Sequence, residues 1–120
     1  MLRVMLKSKI YYATVTAAEL YYKGSITIDE AIMLEADIKE GEKVEVLNLN
    51  NGARIETYAI KGEKGSGVIC LNGPAARTGF KGDKVIILSY AMYNDSELKD
   101  FKSQFVEVDE ENKIKNTFLG

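Results

Sequence analysis

Asn50-Asn51-Gly52 stands between two β-rich runs, Val44 to Leu49 and Ala53 to Ile60. Asn-Gly accepts the positive φ values of a type I′ turn, so this stretch predicts a tight hairpin and commits the middle of the chain to antiparallel sheet. The remaining chain follows the same grammar of short β-rich runs broken by turn residues. Leu2, Val4, Leu6 and Ile10 alternate with Arg3, Met5, Lys7 and Lys9, a period of two that predicts a half-buried strand with Lys9 turned away from the Leu2-Val4-Leu6 face. Gly67 to Asn72 reads as a further strand, stopped by Gly73-Pro74, and Val85-Ile86-Ile87-Leu88 as one buried on both faces.

Helical signals are few. Thr27-Ile28-Asp29-Glu30 has the spacing of a capping box and predicts a short helix from about Asp29 to Ala36, while Ala17-Ala18-Glu19-Leu20 predicts a helical turn. Beyond Tyr93 the chain turns polar. Asp95 to Lys99 predicts one helical turn, Phe105 to Val108 a strand, and Asp109 to Gly120 a mobile tail. Six or seven short strands with one or two short helices make this a mainly β protein, a small β-barrel.

Composition bounds function. A chain of 120 residues, 46% hydrophobic, supports one domain with a core. Sixteen basic residues against eighteen acidic ones give a formal net charge of −2, which offers no general attraction for nucleic acid or an anionic membrane. No apolar run approaches the roughly 20 residues that span a bilayer, and Met1-Leu2-Arg3-Val4 reads as strand, not signal peptide. A cytoplasmic protein fits best. The single cysteine excludes an internal disulfide and a cysteine-rich metal site; Cys70, within Val68-Ile69-Cys70-Leu71, reads as a small buried hydrophobe. With no histidine, the Ser-His and Cys-His pairs and imidazole metal ligands are excluded, and acid–base work falls to Tyr, Lys, Asp, Glu or water.

One dipeptide, Gly24-Ser25, offers chemistry that no encoded side chain supplies. Attack of the serine hydroxyl on the glycine carbonyl converts the amide to an ester; elimination and hydrolysis then leave a ketone, a pyruvoyl group, on the new N-terminus. Such a ketone is an electron sink, which side chains do not provide. The dipeptide alone is equally a glycine turn followed by a capping serine. Gly65-Ser66, in the polar stretch Lys61 to Gly67, supports only that plainer reading.

The company of Gly24-Ser25 separates the two. Lys9, Tyr22, Arg54-Ile55-Glu56-Thr57-Tyr58 and Asn72-Gly73-Pro74-Ala75-Ala76 together resemble the pyruvoyl-dependent aspartate 1-decarboxylases, over Met1 to about Tyr93. The resemblance implies a double-psi β-barrel over residues 1–93, self-cleaved between Gly24 and Ser25, with 94–120 as a polar extension. It also implies a homotetramer with sites between subunits, and decarboxylation of L-aspartate to β-alanine for pantothenate synthesis, through an imine with a pyruvoyl cofactor made from Ser25. Tyr58 matches the residue that protonates the substrate carbon, Thr57 the threonine that assists the serine shift, and Lys9 and Arg54 the residues that hold the substrate carboxylates. Tyr22, Asn72, Gly73 and Ala75 match the remaining substrate contacts. Pro74 departs from the family, where a small non-proline residue is expected, and removes one N–H. Whether a helper protein promotes maturation is left open.

Alternation sets Arg54, Glu56, Tyr58 and Ile60 on one strand face and Ile55, Thr57 and Ala59 on the other. Thr57 and Tyr58 therefore reach one site only through a bulge, a strand end or two subunits. The rival class is a non-catalytic β-barrel binding module with an intact Gly24-Ser25 bond and a contact surface of Tyr11, Tyr12, Tyr21 and Tyr22. A pyruvoyl enzyme for another amino acid is a third reading, disfavoured by the paired cations Lys9 and Arg54.

Overall fold

A computed structural model of residues 1–120 places nine strands around one core: β1 (Leu2–Thr14), β2 (Ala17–Glu19), β3 (Ser25–Asp29), β4 (Lys43–Asn48), β5 (Arg54–Gly62), β6 (Ile69–Asn72), β7 (Lys84–Asn94), β8 (Gln104–Val108) and β9 (Ile114–Leu119). One helix, α1 (Glu30–Glu35), and a 3₁₀ turn over Gly73–Arg77 complete the fold. No helix is long and apolar enough to cross a membrane.

The strands run in the order β2-β6-β3-β5-β4-β7-β1-β8-β9. β1 and β2 are two stretches of one run: Val15 N–H donates to the Asp83 carbonyl (2.9 Å) and Thr16 N–H to the Ile69 carbonyl (2.8 Å). With β1 bonded to β7 and β2 to β6, the sheet closes into a small barrel whose wall is β1/β2, β6, β3, β5, β4 and β7. β8 runs parallel to β1 outside that circuit, and β9 pairs antiparallel with β8. Closure leaves no open edge in the wall.

Side-chain alternation fills the interior. Ile10 pairs with Ile87, Ile87 with Val46 and Val46 with Ile55; on the far side Ile26 pairs with Leu71 and Ala59, and Ile28 with Ile69. Ile10, Ile26, Ile28, Ile69 and Ile87 are fully buried, each contributing about 1.5–3 kcal/mol relative to exposure.

Several expectations are corrected. The first strand forms, but Leu2 and Val4 are 63% and 64% exposed. β4 bonds β7 only over Val85–Ser89 and β8 bonds β1 only over Ser8–Tyr11, so the start of β1 and the end of β7 project as a two-stranded ribbon with apolar Leu2, Val4 and Met92 uncovered. Ala17–Glu19 is strand, not a helical turn, because pairing with β6 satisfies its backbone. The β4–β5 hairpin is present, but its turn is not type I′: Gly52 has φ +76 whereas Asn51 has no positive φ. Side-chain amides shape the loop instead, with Asn48 Oδ1 accepting from Asn50 N–H and Asn51 Oδ1 from Ala53 N–H, both at 2.8 Å.

Thr27 does not cap α1. It sits inside β3, and Asp29 caps the helix by accepting from Ala31 N–H at 2.8 Å. The same carboxylate accepts from Gly65 N–H (2.9 Å) and Gly67 N–H (2.8 Å), tying the Lys61–Gly67 loop to the end of β3. Burial pushes the Asp29 pKa up, but the N–H groups of Gly65, Gly67 and Ala31 outweigh it and hold the carboxyl below its ordinary range. The C-terminal segment is a paired strand, not a loose tail. Every β9 side chain is exposed, so no alternation marked it in the sequence, and the buried Asn112 amide anchors it by donating to the Thr14 and Gly67 carbonyls at 2.8 and 2.7 Å.

Candidate active site

Ser25 opens β3 between two partners, β5 and β6, and is fully buried. Its register partner on β6 is Asn72. The Asn72 carboxamide, 2% exposed, donates from Nδ2 to Ser25 Oγ (3.0 Å) and to Thr27 Oγ1 (2.8 Å). Ser25 Oγ donates in turn to the Lys23 carbonyl at 3.2 Å. Ile26 and Leu71 fill the core, so alternation places Ser25, Thr27, Cys70 and Asn72 together on the other face of the two strands.

The turn after β6 presses on the bond ahead of Ser25. Gly73 has φ +64, and a Cβ there would lie 2.7 Å from the Tyr22 carbonyl oxygen and 2.9 Å from both Gly24 N and Gly24 Cα. Only glycine allows the two backbones this approach. Pro74 follows at the first turn of the 3₁₀ segment, where its missing N–H costs no helical bond, and its Cδ lies 3.4 Å from where a Gly24 Cβ would stand. Ala75 is buried beneath this turn, its carbonyl accepting from Thr78 N–H at 2.9 Å and Thr78 Oγ1 at 2.6 Å.

Tyr58 precedes Ala59 on β5 as Ser25 precedes Ile26 on β3, and Ala59 and Ile26 are register partners. Tyr58 thus lies beside the dipeptide on the neighbouring strand, 37% exposed. Thr57 takes the opposite face, half-buried opposite Val44. β5 pairs with β3 and β4 without a register shift, so no bulge brings Thr57 and Tyr58 round to one side.

The two cations stand apart. Arg54 lies four residues before Tyr58, roughly 13 Å along β5 at about 3.3 Å per residue. Its Nη2 pairs with Glu45 Oε1 at 3.1 Å, and Tyr90 OH donates to the same oxygen at 2.8 Å. The Tyr90 hydroxyl and the Arg54 guanidinium hold the Glu45 carboxyl below its ordinary range. Lys9 lies on β1, separated from β3 by β6 on one side of the closed wall and by β7, β4 and β5 on the other. Its Nζ rests 5.7 Å from the centre of the Tyr11 ring. One chain therefore brings Tyr22, Gly24, Ser25, Asn72, Gly73 and Tyr58 together by contact and register, while Arg54 rests on Glu45 and Lys9 on the Tyr11 ring.

Thr27 and Cys70, the neighbours of Asn72, were missed as members of this cluster. Their signal was parity: both lie two residues from a site residue on the same strand face.

The chain matches the aspartate decarboxylase family over residues 1–115. It is 58% identical over 116 residues to an aspartate 1-decarboxylase of Thermoanaerobacter pseudethanolicus, covering 97% of this chain and 99% of that one. To that of Kosmotoga olearia it is 61% identical over 112 residues, covering 93% and 96% respectively. With that of Syntrophus aciditrophicus it shares 57% over 116 residues, covering 97% of this chain and all of the other.

Proposed function

The chain belongs to the aspartate decarboxylase family and is a decarboxylase, and from that premise we propose that it matures by breaking its own Gly24–Ser25 bond and then converts L-aspartate to β-alanine and CO2 in the cytoplasm, for pantothenate synthesis. The observation that carries this reading is the buried Ser25 hydroxyl held by Asn72 against a bond that Gly73 and Pro74 crowd.

Ser25 Oγ adds to the Gly24 carbonyl carbon and the C–N bond breaks, giving an ester and a free Ser25 amine. Loss of the Ser25 α-proton expels the Gly24 carboxylate and leaves a dehydroalanine at position 25. Water then replaces nitrogen, releasing ammonia and leaving the pyruvoyl ketone. That ketone supplies the electron sink for decarboxylation. The residues fit its formation: the reacting oxygen is buried with a fixed partner, and the Gly24 backbone is met closely by Gly73 and the Pro74 ring.

The remaining residues bind substrate and move protons. Tyr58, the acid beside Ser25, delivers the proton to the substrate Cα. Thr57 takes the face opposite Tyr58 in its own chain, so its part in the serine shift, stabilising the developing oxyanion, is assigned by the family resemblance and across a subunit boundary, and Tyr22, Asn72, Gly73 and Ala75 border the substrate. A strong ion pair to the departing α-carboxylate would resist its loss, so the planar fork of Arg54 is assigned to the retained β-carboxylate, with Lys9 as the second cation that holds the substrate. Since Arg54 rests on Glu45 and Lys9 on Tyr11 in one chain, a second copy completes the site. The family resemblance makes the assembly a homotetramer, and the uncovered Leu2, Val4 and Met92 ribbon supports such burial. Catalysis belongs to residues 1–93, with 94–120 an extension bracing β1.

Labelled L-aspartate treated with borohydride should become fixed to the fragment that begins at position 25. Label confined to lysine side chains would contradict the assignment of the ketone to Ser25.

A further inference from the structure

Asn72 carries a carboxamide whose two ends look alike in shape and opposite in chemistry. Its Nδ2 spends both hydrogens, on Ser25 Oγ and Thr27 Oγ1, and its Oδ1 accepts from Cys70 Sγ at 3.2 Å. Thr27 and Cys70 are register partners across β3 and β6, one step from the Ser25–Asn72 pair. The four side chains, buried Ser25, Cys70 and Asn72 with half-buried Thr27, form one polar group on the outer side of a wall whose inner side is apolar.

Thr27 Oγ1 can donate as well as accept, and Ser25 Oγ favours the amide NH2 only while its one hydrogen stays on the Lys23 carbonyl at 3.2 Å, so the hydroxyls alone hold the amide weakly. Position 70 makes the choice firm. A thiol is a weak acceptor, so an amide rotated by half a turn would set its NH2 against sulfur and leave hydrogens poorly satisfied in a buried site. In the orientation present the thiol donates. Burial raises the Cys70 pKa, which keeps the thiol protonated and able to do so.

We propose that Cys70 is a positioning residue for maturation: its thiol fixes the Asn72 amide so that Nδ2–H holds the Ser25 hydroxyl in place for addition to the Gly24 carbonyl. This rests on the reading that the chain cleaves itself. The step needs no further reactant, since Cys70 keeps its proton throughout and the covalent changes are those at Gly24 and Ser25 already given. Cys70 is buried, as the sequence predicts of a small hydrophobe, and its thiol adds a donor that alanine would lack.

The test is the rate at which freshly made full-length chain separates into residues 1–24 and 25–120, followed by intact mass. Cys70→Ser retains a donor and should cleave within about twofold of wild type. Cys70→Ala, or Cys70→Val should alanine unfold the chain, removes the donor and should slow cleavage about tenfold, the size expected from one hydrogen bond. Thermal midpoints measured alongside show that each variant is folded. A donor-less variant that cleaves at the wild-type rate, or a serine variant as slow as alanine, overturns the role of Cys70 while leaving self-cleavage intact. A wild-type chain that never cleaves overturns both.

Discussion

Gly24-Ser25 and Gly65-Ser66 are the same dipeptide in two settings. Ser66 is exposed, and its Oγ donates to the Glu63 carbonyl at 2.6 Å, a partner three residues back; a Cβ added to Gly65, at φ +83, would meet nothing within 4 Å. Ser25 is fully buried, and its oxygen accepts from Asn72, 47 residues away, while Gly24 is hemmed by Gly73 and Pro74. In the first pair the serine is satisfied within its own loop, and only the Gly65 N–H reaches a distant partner, Asp29; in the second the serine oxygen itself is held by the folded barrel. Reactivity of the dipeptide is thus a property of long-range packing, since the oxygen that must attack is the one whose surroundings the fold fixes.

The comparison breaks most sharply by exchanging serine for alanine at each site. Ser25→Ala should remain one chain and have no decarboxylase activity, while Ser66→Ala should cleave and turn over as wild type does. Gel mobility and carbon dioxide release read both. Cleavage that persists in Ser25→Ala would place the scission elsewhere.

Tyr58→Phe separates making the ketone from using it. The ring and its packing remain, so the chain should still divide at Gly24–Ser25, while turnover falls by roughly 100- to 10,000-fold through loss of the positioned acid. Steady-state kinetics on the cleaved protein check this. Turnover at the wild-type rate would remove Tyr58 from the chemistry.

A smaller effect distinguishes the two glycine environments, measured by urea unfolding in a Ser25→Ala background so that the chain stays whole. Gly73→Ala combines a positive φ with a Cβ driven into the Tyr22 and Gly24 backbone, which cannot yield, and should cost roughly 3 kcal/mol or more. Gly65→Ala has only the positive φ to oppose it and should cost about 1 kcal/mol. Equal losses would mean that the crowding at Gly24 is relieved without strain.

The smallest effect concerns Asp29, which joins the two regions by ending β3 and holding Gly65 and Gly67. Its folded pKa is depressed, so its stabilisation is present above the unfolded value of about 3.9 and is lost as pH falls through the folded one. Acid unfolding of the uncleaved chain should show that loss, and Asp29→Asn should flatten it. An unchanged acid limb in the variant would remove Asp29 from the linkage.

What the sequence disclosed follows from the range of each interaction. Alternation and turn residues are local, so the β4–β5 hairpin, the apolar β7 and the split of β5 into a Tyr58 face and a Thr57 face could all be read. The outer strand β9 could not, because a strand bonded on one side and exposed along its length needs no apolar period. The capping box at Thr27 misled because its threonine is held by Asn72 from another strand, and Asp29 took the cap. At the site, Ser25, Asn72 and Gly73 were legible through the family resemblance, and Thr27 and Cys70 became visible only through register. That Arg54 rests on Glu45 and Lys9 on the Tyr11 ring became visible only in the structure.

The most direct test of the central claim is the intact mass of the wild-type chain, purified and incubated warm until no further change occurs. Self-cleavage predicts two species, residues 1–24 and residues 25–120, the latter lighter by one ammonia than a fragment beginning with ordinary serine. A single full-length mass, or a second fragment that still carries serine, would contradict it.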